Sequence, residues 1–240
     1  MNNYFLVKNF YDYEIVIPPP SNLTKELISV YVTDSDNNAN KAIELGWNIV
    51  KKTDLFLNIE DKFERRKSVA FINSFPIKVV PEIKDANFIF ICDSHIIRLW
   101  NLYEDFVKSC NEKYALFVTS GYYTGFRDNI ISETNAACSN IRWSYGFEDI
   151  KKCSNRYINE LKANGIDITT LSVVSAKYIG WNIKHLNYDK LSNILYNEYC
   201  ENLHGNNILT YMSGIYSDYI YNYYTTDYSG VHLNPHNFNA

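Results

Sequence analysis

The chain has 240 residues, 46% hydrophobic and 21% charged, with a formal net charge of −4. That length can bury one sizeable core, so a single domain over residues 1–240 is expected. The acidic balance without a basic tract excludes a nucleic-acid partner, which would need a clustered positive face to neutralise phosphates. Five widely spaced cysteines with no CxxC pair argue against a disulfide framework or zinc knuckle and fit a reducing compartment. The first residues show neither a basic leader nor a long apolar run, and no later run is long enough to span a bilayer. A cytoplasmic protein is expected. The bias toward Asn, Ile, Lys and Tyr is what an AT-rich genome imposes and fits a bacterial or viral enzyme, in the latter case acting in host cytoplasm or virion.

In chain order, residues 13–17 can form a strand closed by Pro18, Pro19 and Pro20. The first strong strand is Leu27–Thr33, a β-branched apolar run stopped by the turn and N-cap residues Asp34, Ser35, Asp36, Asn37 and Asn38. Ala39, Ala42, Ile43 and Leu45 then give a helix that Gly46 ends, and residues 47–50 resume an extended pattern. This β-α-β unit carries its polar residues at the carboxyl end of its strand, where ligands bind in open α/β sheets. A helix over 62–75 contains the cationic run Arg65, Arg66 and Lys67 and is broken by Pro76. Residues 86–92 are apolar almost throughout, as in a central strand covered on both faces. A helix over 102–110 and a strand over 114–118 follow.

Beyond Ser120 the pattern lengthens into helices over 129–138, 147–164 and 189–203, the last two ending at Gly165 and near Gly205. Short strands fit 171–174 and 179–183, and the last stretch, 225–240, reads as a tail or closing loop. The class is α/β, a Rossmann-like mixed central sheet flanked by helices.

The feature richest in chemistry is the apolar strand running into Asp93, Ser94 and His95. A carboxylate and an imidazole two residues apart on an extended chain face one side and can reach one cation. Mixed oxygen and nitrogen ligands suit Mn²⁺, or Mg²⁺ completed by waters. Such an ion neutralises the charge that develops when a diphosphate leaves. The plainer alternative is a strand-end turn with a capping Asp and an exposed His.

FIFICDSHI resembles the Asp-Ser-His form of the metal motif in polypeptide N-acetylgalactosaminyltransferases, which are GT-A glycosyltransferases. More widely, YVTD at Tyr31, ELGW at Glu44, ERRKSVAFINSFPIKVVPEI, ANFIFICDSHI, ALFVTSGYYTGFRDNIISE and NRYINELKANGI are similar to a plant and microbial family of glycosyltransferase-like proteins formerly known only as an uncharacterised domain. The resemblance implies a GT-A fold, with a donor-binding half at about residues 1–120 and an acceptor-side half at about 121–240. It implies transfer of a sugar from a nucleoside diphosphate donor, UDP-sugar favoured, to a glycan, protein or small-molecule acceptor. Thr33, Asp34 and Asp36 would face nucleobase and ribose, Arg65, Arg66 and Lys78 would hold the diphosphate, and Asp93 and His95 would bind Mn²⁺ or Mg²⁺. His232 or His236 would add a ligand from the tail, and both read equally as exposed histidines. The chain departs from the family late, with Gly205, Asn206 and Asn207 where an Asp-Gln-type motif is expected.

Glu133, Glu148 and Asp149 are acidic but in no pattern that selects a catalytic base, and Tyr122, Tyr123, Tyr216 and Tyr219 read as packing residues or sugar-stacking rings. Two other functions stay open. A nucleotidyltransferase acting on sugar phosphates would carry a Gly-rich loop after the first strand, which is lacking after Thr33. A non-catalytic module on a degenerate transferase fold would keep its role without Asp93.

Overall fold

The computed structural model describes residues 2–10, 16–19, 27–55, 62–94, 112–121, 128–140, 146–202 and 204–225. Among the described residues seven strands form one sheet: β1 (Asn3–Asn9), β2 (Leu27–Thr33), β3 (Ile49–Lys52), β4 (Phe88–Asp93), β5 (Leu116–Gly121), β6 (Val174–Asn182) and β7 (Ile220–Thr225), in the order β3-β2-β1-β4-β6-β5-β7. Neighbours pair in parallel except around β6, which is antiparallel to both β4 and β5. The helices are α1 (Asp36–Glu44), α2 (Lys62–Ser74), α3 (Pro76–Val79), α4 (Ile130–Ser139), α5 (Phe147–Ala163), α6 (Tyr188–Glu201) and α7 (Gly205–Ile215).

The central strands are apolar because both faces are covered. In β1, Tyr4 and Leu6 enter one core with Val30, Val32, Ile89 and Ile91, packed by Ile72 of α2 and Leu191 and Leu195 of α6. Phe5 and Val7 enter the opposite core with Tyr31, Phe90 and Trp47. Alternation along each strand assigns every side chain to one layer or the other. The chain leaves β1 toward β2 and β3 on one side and reaches β4 on the other, so the order in which strands are added reverses between β1 and β4. The crevice outside the carboxyl ends of two such strands is where open α/β sheets bind ligands.

The reading of the elements needs correction in several places. The central strand β1 was passed over, and the strand expected at 13–17 falls mainly outside the described residues, with Val16 and Ile17 outside any strand. The two short strands expected at 171–174 and 179–183 are one nine-residue strand, β6, held on both sides by ladders. Neither α7 nor β7 was expected. The helix expected at 102–110 lies outside the described residues.

The remaining strands and helices α1, α2, α4, α5 and α6 stand close to where periodicity placed them, while α3 begins at the Pro76 that was expected only to end α2. Ser35 caps α1 by accepting the Asn38 amide at 3.3 Å, and Gly46 follows at φ 87°, a left-handed conformation that favours glycine. Cys92, Cys138, Cys153 and Cys200 are free thiols. Among the described residues no helix is long and apolar enough to cross a membrane.

Candidate functional site

The carboxyl ends of β1, β2 and β4 bring two polar clusters together, one on each face of the sheet. On the α1 face Asn9, fully buried at the end of β1, donates to the Tyr31 hydroxyl at 2.6 Å and accepts from the Asn38 amide at 3.5 Å. Thr33 stands opposite Asn9 in the ladder. Its hydroxyl accepts the Ser35 amide at 3.2 Å and its carbonyl accepts the Thr53 amide at 2.9 Å, so this buried side chain shapes the turn into α1. Asp34 follows, half-buried at the strand end.

On the other face Lys8 stands opposite Asp93 in the β1–β4 ladder. The Lys8 ammonium lies 2.9 Å from Asp93 Oδ1 and donates to Asn73 Oδ1 at 2.5 Å. The two partners differ in exposure: the Lys8 side chain is 3% exposed and that of Asp93 30%. A buried ammonium loses several kcal/mol of hydration unless paired, so Asp93 and Asn73 are what permit a lysine here. Asn73 is held in turn, its carbonyl accepting the Trp181 indole N–H at 2.6 Å and its side chain bonding the buried Tyr199 hydroxyl. Burial pushes the Tyr199 phenol well above its ordinary range, with the nearby Asp93 charge acting the same way.

A third cluster joins this edge from α4 and α7. Glu133 is buried, and its Oε1 accepts the Asn206 amide at 2.7 Å and lies 3.4 Å from His204 Nε2. Asn206 accepts the Ala176 amide at 2.8 Å, which ties the start of α7 to β6. A Cβ on Gly205 would come within 2.5 Å of the Tyr199 hydroxyl and 2.6 Å of Ala176 Cβ, so only glycine lets α7 approach this closely.

The structure thus gathers Thr33, Asp34 and Asp93 along one edge of the sheet and treats the other expected residues differently. Asp36 sits on the first turn of α1 with its carboxylate 2.6 Å from Lys52, both outward. Arg66 on α2 is half-buried, and its charge reaches Tyr199. Lys78 is exposed, with its ammonium 4.1 Å from the centre of the Phe75 ring. The side chain of Arg65, and His95, His232 and His236, lie outside the described residues. Tyr216 and Tyr219 are at the far edge, where the Tyr219 carbonyl accepts amides at the start of β5, so neither joins this site. Tyr122 and Tyr123 lie outside the described residues. Of the acids, Glu133 is built in, while Glu148 and Asp149 are exposed on the first turn of α5.

Of the four ligands expected for a divalent ion only Asp93 is among the described residues, and its ammonium partner does not fit one there. β4 ends at Asp93 and Ser94 already belongs to a turn, while His95 lies outside the described residues. One oxygen of Asp93 is engaged by an ammonium. Among the described residues no group of three His, Cys, Asp or Glu side chains comes together. Sequence reasoning missed Lys8, Asn9, Asn73 and Tyr199. A lysine and an asparagine ending an otherwise apolar run were the only signal for the first two.

No protein-family model matches the chain, and no curated protein matches it in sequence. Its fold is shared with solved structures. The WbbM bifunctional glycosyltransferase superposes with a TM-score of 0.51 at 10% identity, over 92% of this chain and 38% of that one. Mouse xyloside xylosyltransferase 1 gives 0.48 at 8% identity, over 92% and 84% of the two chains. A CMP:2-keto-3-deoxy-manno-octonic acid synthetase complexed with CTP gives 0.45 at 10% identity, over 94% and 90%. At these identities the likeness is one of architecture. The mixed seven-stranded sheet with flanking helices is an α/β fold of the GT-A class.

Proposed function

We propose that the chain is a glycosyltransferase that takes a sugar from a nucleoside diphosphate donor, UDP-sugar favoured, and passes it to a glycan, protein or small-molecule acceptor. The observation that carries the proposal is the part-exposed carboxylate of Asp93 at the carboxyl end of β4, where the strand order reverses in a fold shared with the WbbM chain.

In this reading the Asn9, Tyr31 and Asn38 cluster, with Thr33 and Asp34, lines the nucleoside side, and Asp93 accepts a hydrogen bond from a donor hydroxyl. Arg66, with Arg65 and Lys78 as the further candidates, meets the diphosphate, and the half beyond about residue 121 holds the acceptor. The whole chain, 1–240, is taken as one such unit. The Mn²⁺ or Mg²⁺ implied by the Asp-Ser-His motif would draw, besides Asp93, on His95, His232 and His236, and would neutralise the leaving diphosphate.

The test is thermal unfolding against a panel of nucleoside diphosphates, since a ligand present at a hundred times its Kd stabilises the folded state by about 2.7 kcal/mol. A shift with uridine or guanosine diphosphate and none with adenosine or cytidine diphosphate supports the reading. No shift with any member of the panel, with or without Mn²⁺, contradicts it.

A further inference from the structure

Lys8 has an unusual place for a lysine. It is the sixth residue of a seven-residue strand at the middle of the sheet, its side chain 3% exposed. The parallel register puts it opposite Asp93 and on the same face. Its ammonium is fixed from two sides, by Asp93 Oδ1 at 2.9 Å and Asn73 Oδ1 at 2.5 Å. Asn73 is anchored in its turn by Trp181 and Tyr199, each buried. An ammonium gripped this way has no route into water that does not break a buried hydrogen bond. A divalent ion bound to the same carboxylate would add two positive charges next to one that cannot leave, a repulsion only weakly screened inside the protein.

We propose that Lys8 is the resident counter-ion of Asp93, occupying the electrostatic role that the Asp-Ser-His reading gives to Mn²⁺ or Mg²⁺, so that ligand binding at this edge needs no metal on Asp93. The proposal rests on the donor-site reading only for what binds there; the pairing itself belongs to the unliganded chain. The charge of an incoming diphosphate is then met by protein cations. Arg66, half-buried on α2, is the candidate for this.

The experiment is a titration with Mn²⁺ alone, read by water-proton relaxation, on the wild-type chain, Asp93→Asn, Lys8→Met and the double variant, repeated with uridine diphosphate present. Wild type and Asp93→Asn are expected to bind Mn²⁺ alike. Lys8→Met, which removes the ammonium from Asp93 Oδ1, is expected to gain Mn²⁺ affinity by about tenfold or more, and the double variant to lose that gain. Uridine diphosphate affinity of the wild type is expected to change less than about twofold between Mn²⁺ and excess chelator.

Mn²⁺ affinity of the wild type that falls about tenfold or more in Asp93→Asn overturns the proposal, because Asp93 is then a ligand despite Lys8. That comparison decides the matter without Lys8→Met, should that variant fail to fold. Uridine diphosphate binding that requires Mn²⁺ and is lost in Asp93→Asn overturns the counter-ion role while supporting a donor site. Failure of every nucleotide to bind contradicts the donor reading and leaves the Mn²⁺ comparison to decide the role of Lys8.

Discussion

Between β1, β2 and β4 the packing is largely apolar along the strands, Ser29 apart, and its polar groups gather at their carboxyl ends, at Lys8, Asn9, Thr33 and Asp93, whereas between α4, α5 and α7 polar groups occupy the middle of the packing. In the second region the Asn207 amide donates to Thr134 Oγ1 at 2.9 Å and Ser154 Oγ at 2.8 Å, all three residues buried. Nearby, Glu198 accepts from Arg156 Nη2 and from the Tyr157 hydroxyl, both at 2.6 Å. The helical region spends its hydrogen bonds on holding helices together. The strand ends instead present polar groups at the mouth of a crevice, with Asp93 part-exposed, which is what separates a binding edge from a polar core.

The largest effects expected are on the packing that joins the two regions. Trp181→Ala removes a fully buried ring and the bond that holds the Asn73 carbonyl, and should cost about 3–5 kcal/mol in chemical denaturation. Asn207→Ala strips two buried hydroxyls of their donor and should cost about 2–3 kcal/mol. If Asn207→Ala proves neutral while Trp181→Ala is severe, the buried polar packing of the helical region contributes little and the contrast fails there. Asn129→Ala removes the cap of α4, which accepts the Ile131 and Ser132 amides, and should cost about 1 kcal/mol.

The smallest effects sit at the surface. Asp36→Ala, which frees Lys52, should change stability by less than about 1 kcal/mol, and the difference should vanish in high salt. A pH dependence sharpens the same point. The Tyr4 and Asn2 side chains hold the Asp85 carboxyl below its ordinary value. A depressed carboxyl stabilises the fold above its unfolded pKa, and that contribution is lost as pH falls through the folded value. Tyr4→Phe should therefore narrow the stability difference between neutral pH and pH below the ordinary Asp range, measured by denaturation at each pH.

The same contrast explains what could be read from the residues alone. β2, β4 and α5 were legible because apolar runs and periods ended in clear stops: Asp34 and Ser35, Asp93 and Ser94, Gly165. β1 was passed over because Lys8 and Asn9 look like solvent residues, and only the fold supplies the Asp93, Asn73 and Tyr31 partners that let them be buried. α7 was missed because Asn206, Asn207 and Thr210 interrupt its apolar period, each spent on a hydrogen bond. Gly205 looked like the end of one helix, yet it begins the next, where a side chain would strike Tyr199 and Ala176. At the site, Asp93 was legible from the strand that ends in it. Its counter-charge was not, since a ladder partner 85 residues away leaves no trace in local spacing.

The account stands on Asp93 as the hydroxyl-accepting carboxylate of a sugar-nucleotide site. The direct measurement is release of nucleoside diphosphate from a panel of sugar nucleotides by the wild-type chain and by Asp93→Asn, with folding of both checked by circular dichroism. A charged hydrogen bond contributes about 1.5–3 kcal/mol, so the variant should release the diphosphate about 10- to 100-fold more slowly. Equal rates in the two chains, or no release from any donor by the wild type, would contradict the account.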